Sequence, residues 1–191
     1  MAFYEQFIHH LAQKKDDLAQ RWFQKLITTE YTPTYRKLSE EEILRRGRED
    51  FAQLAHWLGE NPDMKQIGST YVQMGKARYL EGFPLSEIHF AFHLSKSVLW
   101  DELATSGILN TSLDLYQGIN FLLHLQNFYD MATFYLIRGY QEALYHRMTQ
   151  DPAISAEARE RLFPQGSFLR RHDDSAQRTH WLESWNLFKT N

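Results

Sequence analysis

His89 and His93 stand four residues apart in the stretch KARYLEGFPLSEIHFAFHLSKSVLW, Lys76 to Trp100, so on a helix both rings project from one face together with Lys96 and Trp100. A pair at this spacing can ligate a transition metal. Zinc, however, asks for three or four protein ligands, and the residues between the two histidines are Phe90, Ala91 and Phe92, without the general base of an HExxH pattern. His124 could complete a ligand set only if the fold carries it nearby. Haem is the other chemistry open to these rings, since one proximal histidine in an aromatic-lined helical pocket suffices. The Glu-x-x-His pair of a di-iron carboxylate bundle does not occur. The plainer reading places His89 and His93 at the edge of an apolar face made by Leu85, Ile88, Phe92, Leu99 and Leu103, hydrogen-bonded to neighbours or water.

Charges provide a second candidate set. Asp130 and Arg138 lie in the most hydrophobic run of the chain, Gly118 to Tyr140, and charges in such surroundings need partners. Arg78, Glu81 and Glu87 flank the Gly82-Phe83-Pro84 break and are the partners expected for them. A structural ion pair is the usual outcome of such a meeting. If these groups line a cavity instead, they orient a small ligand among Tyr79, Phe90, Tyr129 and Tyr135. The candidate ligand-binding residues are therefore Arg78, Tyr79, Glu87, His89, His93, Tyr129, Asp130 and Arg138. Near the end of the chain, Trp181, Trp185 and Phe188 follow i, i+4, i+7 spacing, so a short helix there could present them to a partner's groove or fold back over the chain's own apolar surface. The sequence contains no G-x-S-x-G elbow, no phosphate-binding loop and no dinucleotide glycine run, so a non-catalytic role is expected.

The elements that must position these residues read as helices. Apolar residues recur at threes and fours from Phe3 to Ile27, and Ser39-Glu40-Glu41-Glu42 is a capping box that starts a second helix running to about Leu58. Asn61-Pro62-Asp63 opens a third that closes near Gly82. Pro84 fits the entry of a fourth, because its missing N–H would have no helical partner there, and Gly107 ends it. Thr111 to Asp114 is another capping signature, and the pattern then stays helical to about Met148, with Gly118 and Gly139 as expected weak points. This long helix, Asn110 to Met148, carries apolar residues on nearly every face between Tyr116 and Tyr140. It is expected to be a spine enclosed by the others. A shorter pattern covers Ser155 to Phe163. No segment alternates with period two, so the expected fold is all-α: a single-domain helical bundle over residues 1–150, with 151–191 as a tail.

Composition narrows the function classes. The chain has 191 residues, 43% apolar and 15% aromatic, enough to bury a core of its own. A formal charge of −3 offers no broad positive field, so nucleic acid is not an expected partner. Without cysteine there is neither a disulfide framework nor a thiolate metal site. The N-terminus lacks a basic stretch followed by an unbroken apolar one, and the Gly118–Tyr140 run is interrupted by Asn120, His124, Gln126, Asn127, Asp130 and Arg138. Neither a leader peptide nor a membrane span is expected, and the cytoplasm is the expected compartment.

Tyr71-Val72, Lys76-Ala77-Arg78, Gly82 to Glu87, Phe128-Tyr129-Asp130 and Arg138-Gly139-Tyr140 together resemble the all-helical N-terminal sensor domain of RsbR/RsbRD-type proteins. These are co-antagonists of the RsbT switch kinase in bacterial stress signalling, and similar domains precede some histidine kinases. The resemblance spans about Phe3 to Arg147. It implies a globin-like domain without haem that perceives a ligand or partner, transmits a change through its C-terminal helix and usually works as a dimer. RsbR-type members continue into a phosphorylatable STAS domain, whereas about 40 residues follow the bundle here, too few for such a domain. The expected role is a sensor that acts through another protein, such as a kinase or a STAS-type regulator. The competing expectation is a haem- or metal-binding globin-like sensor using His89, His93 or His124.

Overall fold

The computed structural model describes residues 3–59 and 64–163. Among them are seven α-helices, one 3-10 turn and no strand: α1 (Phe3–Gln13), α2 (Lys15–Thr28), the turn Pro33–Lys37, α3 (Glu40–Gly59), α4 (Met64–Leu80), α5 (Leu85–Thr105), α6 (Ser112–Gln150) and α7 (Ala156–Leu162). The fold is all-α. The chain divides into two compact units, Met1–Pro62 with Gly82–Thr133 and Asp63–Glu81 with Phe134–Asn191. No helix among the described residues is long and apolar enough to cross a membrane. The aromatic segment with Trp181, Trp185 and Phe188 lies outside the described residues.

The capping residues act where the sequence places them. The Glu42 N–H donates to Ser39 Oγ at 3.2 Å, satisfying one orphan donor at the start of α3. The Glu42 carboxylate does not complete the box. It turns to Arg45 and Arg46 instead, and hydrogen bonds from those two guanidinium groups hold its carboxyl down at about 2. At the start of α6 the box is reciprocal: Asp114 N–H donates to Thr111 Oγ1 at 3.1 Å, and Thr111 N–H donates to the Asp114 carboxylate at 2.9 Å. Pro84, at φ −62° and ψ 137°, leads into α5, and the left-handed turn after α4 falls on Gly82 at φ 79°.

The first helical pattern is not one helix. Lys14, at φ −95° and ψ 7°, separates α1 from α2, although its N–H still reaches the His10 carbonyl at 3.0 Å and its own carbonyl accepts from Leu18 at 2.9 Å. Residues 12–17 are all exposed, so no buried side chain holds the helix straight at that point. The helical dihedrals lapse there. On either side, Phe3, Phe7 and Leu11 and then Leu18, Trp22 and Leu26 are buried in the first unit. Phe7 meets Phe121 edge-on with ring centroids 4.8 Å apart, a geometry worth about 0.5–1.5 kcal/mol beyond the area it buries. The Trp22 indole N–H donates to the Ala91 carbonyl at 2.9 Å and ties α2 to α5.

Two expectations for the long helix are corrected. Gly118 and Gly139 do not interrupt it: α6 runs unbroken through both. Gly139 is there for space: a Cβ on it would stand 2.0 Å from the Val72 carbonyl oxygen, and a Cβ on Gly75 would stand 2.0 Å from the Leu136 carbonyl oxygen. In the second unit α4 and the later part of α6 therefore cross backbone against backbone. Nor is α6 enclosed all round by the described residues. Phe121, Leu125, Phe128 and Tyr129 are buried, whereas Leu113, Leu115, Tyr116, Ile119 and Leu123 are exposed. An apolar circumference is equally consistent with full enclosure and with an uncovered arc, and only the packing distinguishes them.

Candidate functional site

In the first unit, α5 and α6 lie together through one buried phenol. Tyr129, on α6, shares a hydrogen bond with Ser95 of α5 at 3.0 Å, and its ring meets Phe92 and Phe128 at centroid distances of 5.6 and 5.9 Å. Burial pushes the Tyr129 phenol up, well above its ordinary range. One turn away, Lys96 donates to Gln126 Oε1 at 3.0 Å, and Gln126 Nε2 donates to Asp130 Oδ1 at 2.7 Å. Asp130 is exposed, not buried as expected. Its position falls where the helix circumference turns toward solvent, which the apolar run around it conceals. In place of the expected ion partner, Asp130 accepts from the Gln126 side-chain amide.

Glu87 has a different task from the one expected. It is buried at 7% exposure, and its two carboxylate oxygens accept from the Thr34 N–H at 2.8 Å and the Thr34 hydroxyl at 2.9 Å. It thereby anchors the 3-10 turn to the first turn of α5. His89 and His93 are exposed on α5, with the His93 ring 5.6 Å from Phe90, and Phe90 in turn meets Tyr31 at 5.0 Å. His124 is exposed on α6 and its Nδ1 pairs with the Asn120 carbonyl at 2.8 Å, which makes Nδ1 the protonated ring nitrogen. No three His, Asp or Glu side chains gather in a metal-holding group among the described residues.

One buried polar cluster of this unit is not marked by residue spacing. Glu102 of α5 is 6% exposed; the His10 ring donates to its Oε1 at 2.5 Å and Arg21 donates to its Oε2 at 2.5 Å, so one carboxylate fastens α1, α2 and α5. Burial works against its ionisation, but the hydrogen bonds from His10 and Arg21 and the charge of Arg21 hold it below the usual carboxylate range. Arg21 also reaches the Val98 carbonyl at 3.3 Å. The available signal was faint: Glu102 falls on the stripe of Val98, Leu99 and Leu103, where an acid needs partners, but those partners lie 92 and 81 residues away.

In the second unit the candidates Arg78, Tyr79 and Arg138 each have a partner close in sequence or on the facing helix. Arg78 donates to Glu81 at 3.1 Å, and Arg138 donates to Glu142 Oε1 at 2.9 Å. Lys76 of α4 reaches the other Glu142 oxygen at 2.9 Å, so Glu142 links the two helices beside the glycine crossing. Desolvation opposes the charge on Glu142, yet Lys76 and Arg138 hold its carboxyl below the ordinary value. Tyr79 meets Tyr140 edge-on at 5.2 Å. The eight candidate ligand-binding residues are thus divided between the units: Glu87, His89, His93, Tyr129 and Asp130 in the first, Arg78, Tyr79 and Arg138 in the second.

What this arrangement can do is hold helices at fixed positions. Glu87, Glu102 and Glu142 are committed to hydroxyls and cations that join one element to another. The model for the RsbT co-antagonist protein rsbRD N-terminal domain matches residues 16–153, and the chain belongs to that family of stress-signalling sensor domains. Neither a curated relative nor a solved structure matches it. The family is regulatory and is not known for catalysis.

Proposed function

We propose that this chain is a non-catalytic sensory domain that acts in the cytoplasm by binding a regulatory protein, a kinase or a STAS-type partner, and that pairs with a second copy of itself. Its arrangement is globin-like, it needs no cofactor, and α6 carries the signal. The observation behind this reading is α6 itself, a single helix of 39 residues that supplies side chains to both compact units. At a rise of about 1.5 Å per residue it extends roughly 60 Å, so a shift imposed on its packing in one unit is delivered along a stiff element to the other. The residues that would receive a small-molecule signal are Glu87, His89, His93, Tyr129 and Asp130 in one unit and Arg78, Tyr79 and Arg138 in the other. Trp181, Trp185 and Phe188 would engage the protein partner.

Affinity capture from the native cytoplasm, with the full chain and with a chain ending at Gln165, tests the partner role. The full chain should retain a regulatory protein that the shortened chain loses, and an identical retained set would remove the role given to the aromatic tail. Failure of both to retain any protein would overturn the reading. A visible spectrum of protein purified without added cofactor checks the second point. A Soret band would make haem the sensing group and His89, His93 or His124 its ligand.

A further inference from the structure

The family match begins at residue 16, so α1, Phe3–Gln13, precedes the residues that define the family. Helical dihedrals lapse at Lys14 and residues 12–17 are exposed, so no buried side chain carries the packing of α1 into α2. The inner edge of α1 is apolar: Phe3, Phe7 and Leu11 stand four apart and are buried. The end of the Phe3 ring lies 3.7 Å from the place a Gly118 Cβ would take, and the Tyr4 and Phe7 rings meet Phe121 at centroid distances of 5.0 and 4.8 Å. Helix α3 packs against α1 as well. Among the described residues one side-chain hydrogen bond leaves α1, from the His10 ring to Glu102; the other that it makes, Gln13 to His9, lies within the helix. Glu102 does not depend on His10 alone, because Arg21 of α2 holds its other oxygen at 2.5 Å.

We propose that α1 is a releasable strap over a helix-binding groove, whose other occupant is an amphipathic helix of a partner protein. That helix carries two aromatic side chains four residues apart and a basic N–H donor three residues beyond the second. The inference rests on the reading of the chain as a domain that acts through a partner protein, and it gives that partner a surface. The seated α1 displays the pattern, with Phe3 and Phe7 as the aromatic pair and His10 as the donor. Two features allow release. A helix of 11 residues is too short to persist in water by itself, so α1 keeps its shape only while seated and leaves as one unit. When His10 leaves, Glu102 stays paired with Arg21, so no buried charge is stranded. What is uncovered is the apolar floor around Phe121, and a surface of that kind is covered by the apolar face of another helix. Glu102 then selects the visitor by charge. Its Oε1, vacated by His10, accepts from a basic donor, whereas a helix bringing an acid to that position meets its like.

Hydrogen exchange of the full chain, read on peptic fragments, tests the strap. Amides of α1 should exchange at least tenfold faster than those of α2 and α5, and His10→Ala should speed α1 alone by roughly tenfold more. If α1 exchanges in step with α2 and α5, it is part of the core and the proposal is overturned. A fluorescent peptide of residues 3–14 tests the groove. Phe7→Glu in the full chain places a charge at an anchor that has no exposed surface and should empty the groove. The peptide should bind this variant at least tenfold more tightly than the wild type, whose own α1 competes at high effective concentration. A peptide carrying His10→Glu should bind at least tenfold more weakly. Binding to neither chain, or binding indifferent to His10→Glu, overturns the groove. If Phe7→Glu loses helix beyond α1 by circular dichroism, Phe7→Ala takes its place, and the same loss there puts α1 in the core and overturns the proposal. Sedimenting pairs that Phe7→Glu abolishes would make α1 of a second copy the occupant, and would overturn the assignment to a partner's helix. Capture of a regulatory protein by the full chain separates the two readings. A captured protein with no peptide bound removes only the groove, and peptide binding with no captured protein removes only the sensory role.

Discussion

Glu102 illustrates how one side chain can set the relation of three helices. Its carboxylate lies almost out of solvent and is held ionised by His10 and Arg21. Its folded-state pKa lies below that of an unfolded glutamate, about 4.3, so the stability it adds is fully present above that value and is lost as pH falls through the folded one. Glu102→Gln should therefore cost about 2 kcal/mol near neutrality, discounted from a fully buried pair because Arg21 keeps contact with water. The loss should shrink at acid pH, below the folded-state value, where the wild-type carboxyl is itself protonated. Urea midpoints at the two pH values check both the size and the trend. A deficit that stays constant with pH would point to packing as the cause. Tyr129→Phe probes the other buried group: it should cost about 1 kcal/mol, read from the same midpoints, because Ser95 retains its bond to the Phe92 carbonyl at 2.8 Å.

At the scale of elements, the crossing of α4 and α6 in the second unit depends on the absence of two side chains. Gly139→Ala places a methyl group against the Val72 backbone, which cannot rotate aside, whereas Gly118→Ala in the first unit meets only the end of the Leu109 side chain at 2.7 Å. The first substitution should cost about 2–3 kcal/mol and the second distinctly less, measured by thermal unfolding of the two variants. Equal losses would mean that the backbone crossing does not set the cost, since helix propensity by itself favours alanine over glycine by about 1 kcal/mol at either position. Helix ends are governed more locally. Thr111→Ala removes the one hydroxyl that both accepts from the Asp114 N–H and donates to the Asp114 carboxylate, and should cost about 1 kcal/mol. These boundaries were legible beforehand, since Ser39, Pro84, Gly107, Thr111 and Ser155 lie at the starts and ends of the observed helices. The interruption at Lys14 was not, because no proline or glycine marks it.

Across the whole chain, the family assignment, the helical content and α6 as one continuous helix lead to the sensory reading, and its tests act at this scale. Removing residues 166–191 should leave the helical signal of residues 3–163 intact in circular dichroism while abolishing partner capture; collapse of solubility would instead identify the segment as a cover for the chain's own apolar surface. Local chemistry was enough to determine the helical class and most helix ends, because an N-cap hydroxyl, a proline ring or a period of three and four acts within a few residues and needs no knowledge of the rest. The RsbRD-type motifs Lys76-Ala77-Arg78, Gly82 to Glu87 and Arg138-Gly139-Tyr140 were readable for the same reason. Tertiary structure alone decided that Glu102 joins His10 and Arg21, that Glu87 serves Thr34, that Gly139 admits the backbone of α4, and that one arc of α6 stays open while the other is buried. Each of these depends on which surfaces meet across 50 or more residues of chain, and a helical period specifies which side chains share a face without specifying what that face will touch.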